Sequence, residues 1–229
     1  MNIQSLNSEI NNISQNLISS GMALDYNFSK YDCKTNAITF CKQQNLFDIL
    51  SSKDTIERHK KFIEGKYYNC LLFDGALLQF FYKFKSKELI SHRLAYIPSP
   101  ICITMDELAE FSFVEILEKV ENIPNELKKR IQEYTILRFD YDVENANIYH
   151  PASHFTILKS NCRIPVCSPL TPLMFLNFVL NNFYSNDFLE SNNINIKKIE
   201  ELKSIKSHCF NAEKNIQIQH KKFFYFNIE

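Results

Sequence analysis

The segment Arg138-Phe139-Asp140-Tyr141-Asp142 sets one cation and two carboxylates at alternate positions, and Tyr149-His150-Pro151-Ala152-Ser153-His154 follows after a short polar turn. Alternate residues of a β-strand share a face. Arg138, Asp140 and Asp142 should therefore project together, with Leu137, Phe139, Tyr141 and Val143 on the other side. Arg163 lies in the next strand-like segment, CRIPV. His92 and Arg93 are neighbours in an earlier alternating stretch and must point to opposite faces, so only one of them can join an open polar site.

Such a set suits phosphodiester chemistry in two ways. Without a metal, His150 and His154 act as acid and base on the 2′-hydroxyl and leaving oxygen of RNA. Arg138, Arg163 and Arg93 hold the phosphate, and Asp140 or Asp142 fixes a histidine tautomer. With a metal, Asp140, Asp142 and one of the two histidines hold a cation that activates water. The metal-free version uses the arginines and is preferred, with no cofactor. The same residues also have structural readings. An exposed Arg–Asp pair contributes only about 0–1 kcal/mol, His150 before Pro151 can close a turn, and His154 can be a hydrogen-bonded core histidine. A catalytic role predicts that Arg138, His150 and His154 converge on one open cleft. A structural role predicts that they are buried and mutually satisfied.

Composition narrows the classes. The 229 residues carry 26 Lys+Arg against 26 Asp+Glu, so no bulk charge draws the chain to nucleic acid or membrane. Three glycines leave no glycine-rich dinucleotide or phosphate loop. Seven scattered cysteines (33, 41, 70, 102, 162, 167 and 209), with no CxxC pair, read as reduced thiols and a cytoplasmic setting. The polar N-terminus is not read as a signal peptide, and no stretch approaches the roughly 20 apolar residues of a membrane span. Lysine outnumbers arginine 21 to 5. In such a sequence an arginine suggests a place where a planar, bidentate cation is needed, and three of the five fall in strand-like segments.

The elements that must position these groups follow from periodicity. Residues 3–20 read as an amphipathic helix stopped by Gly21, and 45–64 as a helix with a start signal near Asp54. Residues 71–84 and 88–96 form a hairpin. The Thr104–Glu107 capping box opens a helix to about Val120, and Pro124 opens a shorter one to Glu133. Strands at 135–143, 155–158 and 162–166 follow. Thr171-Pro172 starts a buried helix, the Asn-rich stretch 181–195 links it to a charged helix near 197–207, and a strand at 216–228 ends the chain. Meanders and hairpins of this kind predict a single α+β domain over residues 1–229, an antiparallel β-sheet with helices packed mainly on one face and a core region at about 70–185.

The blocks FDGALLQFFYKF, HRLAYIPSP, LRFDYD, YHPASH, CRIP and SPLTPLMFLNFVLNNFY resemble, in that order, a bacterial domain-of-unknown-function family, number twenty-two ninety. The resemblance covers roughly residues 70–185 and implies a prokaryotic cytosolic protein with no assigned activity. The hairpin and His-Pro pattern is also loosely similar to small toxin ribonucleases, which implies testing Arg138, Asp140, His150 and His154 first. The leading expectation is a nuclease-like protein acting on RNA, in a toxin or phage-defence system, with an antitoxin or another defence component as possible protein partner. The alternatives are a non-catalytic interaction module and a metal-dependent phosphodiesterase.

Overall fold

The structure is a computed structural model that describes residues 2–40, 54–122, 131, 135–147, 149–157, 162–205 and 210. The first helix, α1 (Ile3–Ser19), is N-capped by Asn2 and buries Leu6, Ile10, Ile13 and Leu17. Gly21 leaves it at φ +82°, a left-handed conformation that only glycine adopts freely. Three short strands follow: β1 (Ala23–Tyr26), β2 (Lys30–Asp32) and β3 (Ala37–Thr39). Helix α2 (Thr55–Glu64) is capped by Asp54, whose carboxylate accepts from the amides of Ile56 and Glu57.

The next strands are β4 (Cys70–Leu72), β5 (Leu77–Lys85) and β6 (Glu88–Ile97). Asp74-Gly75, a turn or bulge signal in the sequence, turns the chain between β4 and β5, with Gly75 at φ +86°, so the long hairpin strand begins at Leu77 rather than at residue 71. Helices α3 (Met105–Glu110) and α4 (Phe113–Glu121) replace the single helix expected from Thr104. Phe111 is extended, and a second capping box, Ser112 with Glu115, restarts the helix. The helix expected from Pro124 falls mostly outside the described residues. Ile131, which it would include, instead makes an isolated antiparallel bridge to Ile101.

Strands β7 (Leu137–Asp142), β8 (Ser153–Thr156) and β9 (Arg163–Pro165) complete the described sheet. Helix α5 (Pro172–Phe183) has Thr171 as N-cap and proline in its first turn, a position where the missing amide costs nothing. The Asn-rich stretch beyond it is more than a linker, since it contains α6 (Asn186–Ser191), before α7 (Ile196–Ser204). The expected terminal strand lies outside the described residues.

All described strand pairs are antiparallel, in the order β1-β4-β5-β6-β7-β8-β9, and β3 pairs with β5 beside β4. One sheet face carries Leu78, Phe80, Tyr82, Leu94, Tyr96 and Phe139, and these join α1, α5, α6 and α7 in the main core. Fully burying an aliphatic or aromatic side chain of this kind contributes about 1.5–3 kcal/mol. The other face is divided. At one end Leu77, Ala95 and Ile97 are covered by Ile56 and Phe62 of α2 and by Phe113, Ile116 and Leu117 of α4. Beyond that smaller core the sheet face is polar.

The fold is thus an α+β arrangement around an antiparallel sheet, with helices on both faces rather than mainly on one: α1, α5, α6 and α7 on the first, α2 and α4 over one end of the second. No described helix is long and apolar enough to cross a membrane. The described cysteines 33, 70, 102, 162 and 167 are free thiols.

Candidate functional site

The polar part of the second face is organised by strand register. Phe81 stands opposite Arg93, Arg93 opposite Asp140, and Asp140 opposite His154. This row runs straight across four strands. The adjacent row runs from Gln79 through Ala95, Arg138 and Thr156 to Arg163. Directly opposed residues share a face and interact, so residues far apart in the chain meet over one cavity of about 410 Å³. Every residue singled out from the sequence, namely Arg93, Arg138, Asp140, Asp142, His150, His154 and Arg163, lines that cavity.

Asp140 is the hub. Arg93 donates through Nε to its Oδ1 at 3.0 Å, and Arg138 donates through Nε to its Oδ2 at 2.5 Å. The carboxyl side chain is only 9% exposed, against 55% for Arg93 and 28% for Arg138. Burial alone would raise the Asp140 pKa, but the two guanidinium charges outweigh it and the net shift is downward. The carboxylate stays ionised, and neither arginine hydrogen-bonds through its Nη groups to another described residue.

His154 lies within β8, one position past the strand's start, rather than before a strand beginning at Phe155. Its Nδ1 is 2.8 Å from the Pro151 carbonyl, which can only accept, so the proton sits on Nδ1. The Nε2 atom then faces Asp140 Oδ2 at 3.8 Å. Burial is the largest influence on its pKa and lowers it to about 4, against an upward pull from Asp140 and the Pro151 carbonyl. The ring is neutral near pH 7. His150 sits against it with ring centroids 4.8 Å apart, edge to face. The His150 backbone closes a two-way bridge with Asn147, so the turn reading holds for its main chain while its ring lines the cavity.

Asp142 occupies the same face, but its carboxylate is turned to the following loop, where it accepts from the amides of Glu144 and Asn145 and from the Asn145 side chain. Arg163 makes no hydrogen bond or ion pair to another described residue. His92 points into the main core, as its neighbour's outward position requires. Leu170 N–H donates to its Nε2 at 3.0 Å, while Tyr82 O–H donates to the Leu170 carbonyl. These two side chains fix the loop that leads into α5.

Among the described residues no three His, Cys, Asp or Glu side chains are grouped to hold a metal. Asp140 is shared by two arginines and Asp142 caps its turn, so the Asp140–Asp142–His donor set does not gather at one point. The cavity instead presents Lys83, Arg93, Arg138 and Arg163 against Asp140 and Asp142, a local cationic excess in a neutral chain. Residues missed in the sequence also line it: Gln79, Phe81 and Lys83 of β5, and Phe40 after β3. For the three β5 residues the signal was the alternation of the strand, which puts Phe81 between the polar Gln79 and Lys83 on one side.

The sequence model of a family described as an uncharacterised conserved protein, DUF2290, matches residues 22–228. The chain belongs to this family. The match extends the 70–185 resemblance to β1–β3 and to the C-terminal helices, so the strand that brings Phe40 to the cavity lies inside the family region. No curated protein and no solved structure matches the chain.

Proposed function

We propose that this DUF2290 protein binds a phosphodiester of RNA in the cavity and cleaves it without a metal. The observation that carries the reading is the occupation of both carboxylates. With Asp140 held by Arg93 and Arg138, Asp142 capping its turn and His154 Nδ1 bonded to the Pro151 carbonyl, the unspent groups are arginine donors, the His150 ring and Nε2 of His154 beside it. Those groups complement an anion and proton transfer.

In this mechanism the 2′-oxygen attacks phosphorus and gives up its proton to the neutral Nε2 of His154. A 2′-O–P bond forms, the P–5′-O bond breaks, and His150 donates a proton to the departing 5′-oxygen. The imidazolium left on His154 faces the Asp140 carboxylate, which stabilises it. Arg93, Arg138 and Arg163 neutralise charge on the phosphoryl oxygens as it builds up. The products are a 2′,3′-cyclic phosphate and a 5′-hydroxyl. Such an activity fits a toxin or phage-defence setting, where an antitoxin or another defence component would hold it in check.

The test is incubation of purified protein with single-stranded RNA and the matching DNA in excess chelator. RNA cleavage with cyclic phosphate ends, absent on DNA and lost in His150→Ala and His154→Ala, is the expected result. Intact RNA with folded protein moves the weight to a non-catalytic module that uses the same cationic face for binding.

A further inference from the structure

We infer that the β3–β5 end of the same cavity is a subsite for an unpaired nucleobase, so the ligand is single-stranded nucleic acid held by base and phosphate together. The inference rests on the phosphate reading of the cavity and adds what the arginines alone leave open.

Phe81 is the decisive residue. It stands directly opposite Arg93, one strand spacing of about 4.8 Å away. It is also half-buried, on a part of the face where its neighbours across and along the strands are the polar Gln79, Lys83 and Arg93. A second aromatic residue, Phe40, lines the same end. It is carried there because β3 pairs with the far half of β5, through Ala37 with Lys83 and Ile38 with Tyr82. Phe81 can offer a ligand only its face and edge, so a complementary ligand has a flat π-surface beside its anion.

Gln79 gives this end a polar edge. Its Nε2 donates to the Tyr67 carbonyl at 2.6 Å, which fixes the amide and leaves Oε1 as an acceptor. A base edge that presents an N–H answers that acceptor. A duplex keeps its bases stacked inside and cannot lay one on Phe81, whereas a single strand can.

The experiment measures binding to uncleavable ligands, which separates it from the cleavage reaction. A fluorescein-labelled hexamer of deoxyadenosine is compared by anisotropy with an abasic deoxyribose-phosphate chain of the same length, using the full chain. The base-bearing hexamer is expected to bind at least about tenfold more tightly. Phe81→Ala should remove that preference without changing affinity for the abasic chain, and Phe81→Tyr should keep it. If Phe81→Ala does not fold, Phe81→Leu keeps an apolar side chain without the ring and is read in the same way. Equal affinity for both chains, a preference surviving in Phe81→Ala or Phe81→Leu, or no binding of either chain overturns the inference. A base preference in a protein that leaves RNA intact refutes cleavage and sustains the subsite. Cleavage in a protein without base preference does the reverse.

Discussion

Asp140 and His154 stand opposite each other on β7 and β8, with Oδ2 of the carboxylate 3.8 Å from Nε2 of the imidazole. That approach is too long for a hydrogen bond, and the carboxylate is already committed to Arg93 and Arg138. A proton arriving at Nε2 therefore meets a ready counter-charge without displacing a partner.

Asp140→Asn tests this arrangement. The amide keeps the size but loses the charge that two guanidinium groups share, and hydrogen bonds to charged groups contribute about 1.5–3 kcal/mol. The variant should lose on the order of 2 kcal/mol in urea unfolding, since both arginines are partly solvated. It should bind a phosphate chain at least as tightly, because the cavity gains net positive charge. Weaker binding by a folded variant would mean that Asp140 positions the arginines for the anion.

Acid should unfold the protein earlier than its neutral composition suggests. His59, His92 and His154 each have a folded pKa lowered to about 4, burial being the main cause in all three. The unfolded chain binds protons on these groups from about pH 6.5 downward, while the folded chain resists until about pH 4. Their contribution is complete above pH 6.5 and is lost as pH falls through 4. Asp140, whose pKa is also depressed, adds a further loss below that window. Thermal melts from pH 8 to 4 should decline most steeply between 6.5 and 4. A flat profile there would rule out three neutral buried histidines.

Arg163→Gln should leave stability within about 0.5 kcal/mol, as for an ordinary surface change. It should weaken binding to a deoxyoligonucleotide and reduce the salt slope by about 0.7, the increment for one phosphate contact on a single strand. An unchanged slope would remove Arg163 from the anion site.

Gly75→Ala addresses the scaffold. At φ +86° a side chain is strained, and an added Cβ would come within 2.0 Å of the Phe113 ring. The Gly75 carbonyl also accepts from His59 Nε2 at 2.8 Å. A loss of about 2 kcal/mol or more is expected from strain and overpacking, seen as a lower urea midpoint. A wild-type midpoint would show that Phe113 and the turn yield freely.

The polar strand was legible in the sequence because Arg138, Asp140 and Asp142 alternate against an apolar Phe139 and Tyr141, and the pairing register preserves that alternation. The helix from Thr171-Pro172 was legible for a local reason as well, since cap and proline sit together. Residues 23–39 were not. Their three strands have only three or four residues each, too few for a period to declare itself. The break at Phe111 escaped because Ile116, Leu117 and Val120 continue a helical pattern that hides a second cap at Ser112. Asp142 shares a face with Asp140, yet its carboxylate turns to the Glu144 and Asn145 amides. Alternation assigns faces but not hydrogen-bond partners.

The distribution of the cavity along the chain also governs when it comes into being. Its walls are drawn from Phe40 on one side and Arg163 on the other, with β5, β6, β7 and β8 between them. The stretch from β5 to β8 supplies most of the lining, but Phe40 and Arg163 come from beyond its two ends. During synthesis, a ribosome that has not yet released residue 163 carries a chain without the last arginine and without β9 beside His154. Non-local strand pairings of this kind form late because loop closure must come first. The full set of side chains around the cavity is thereby assembled only after most of the chain has emerged.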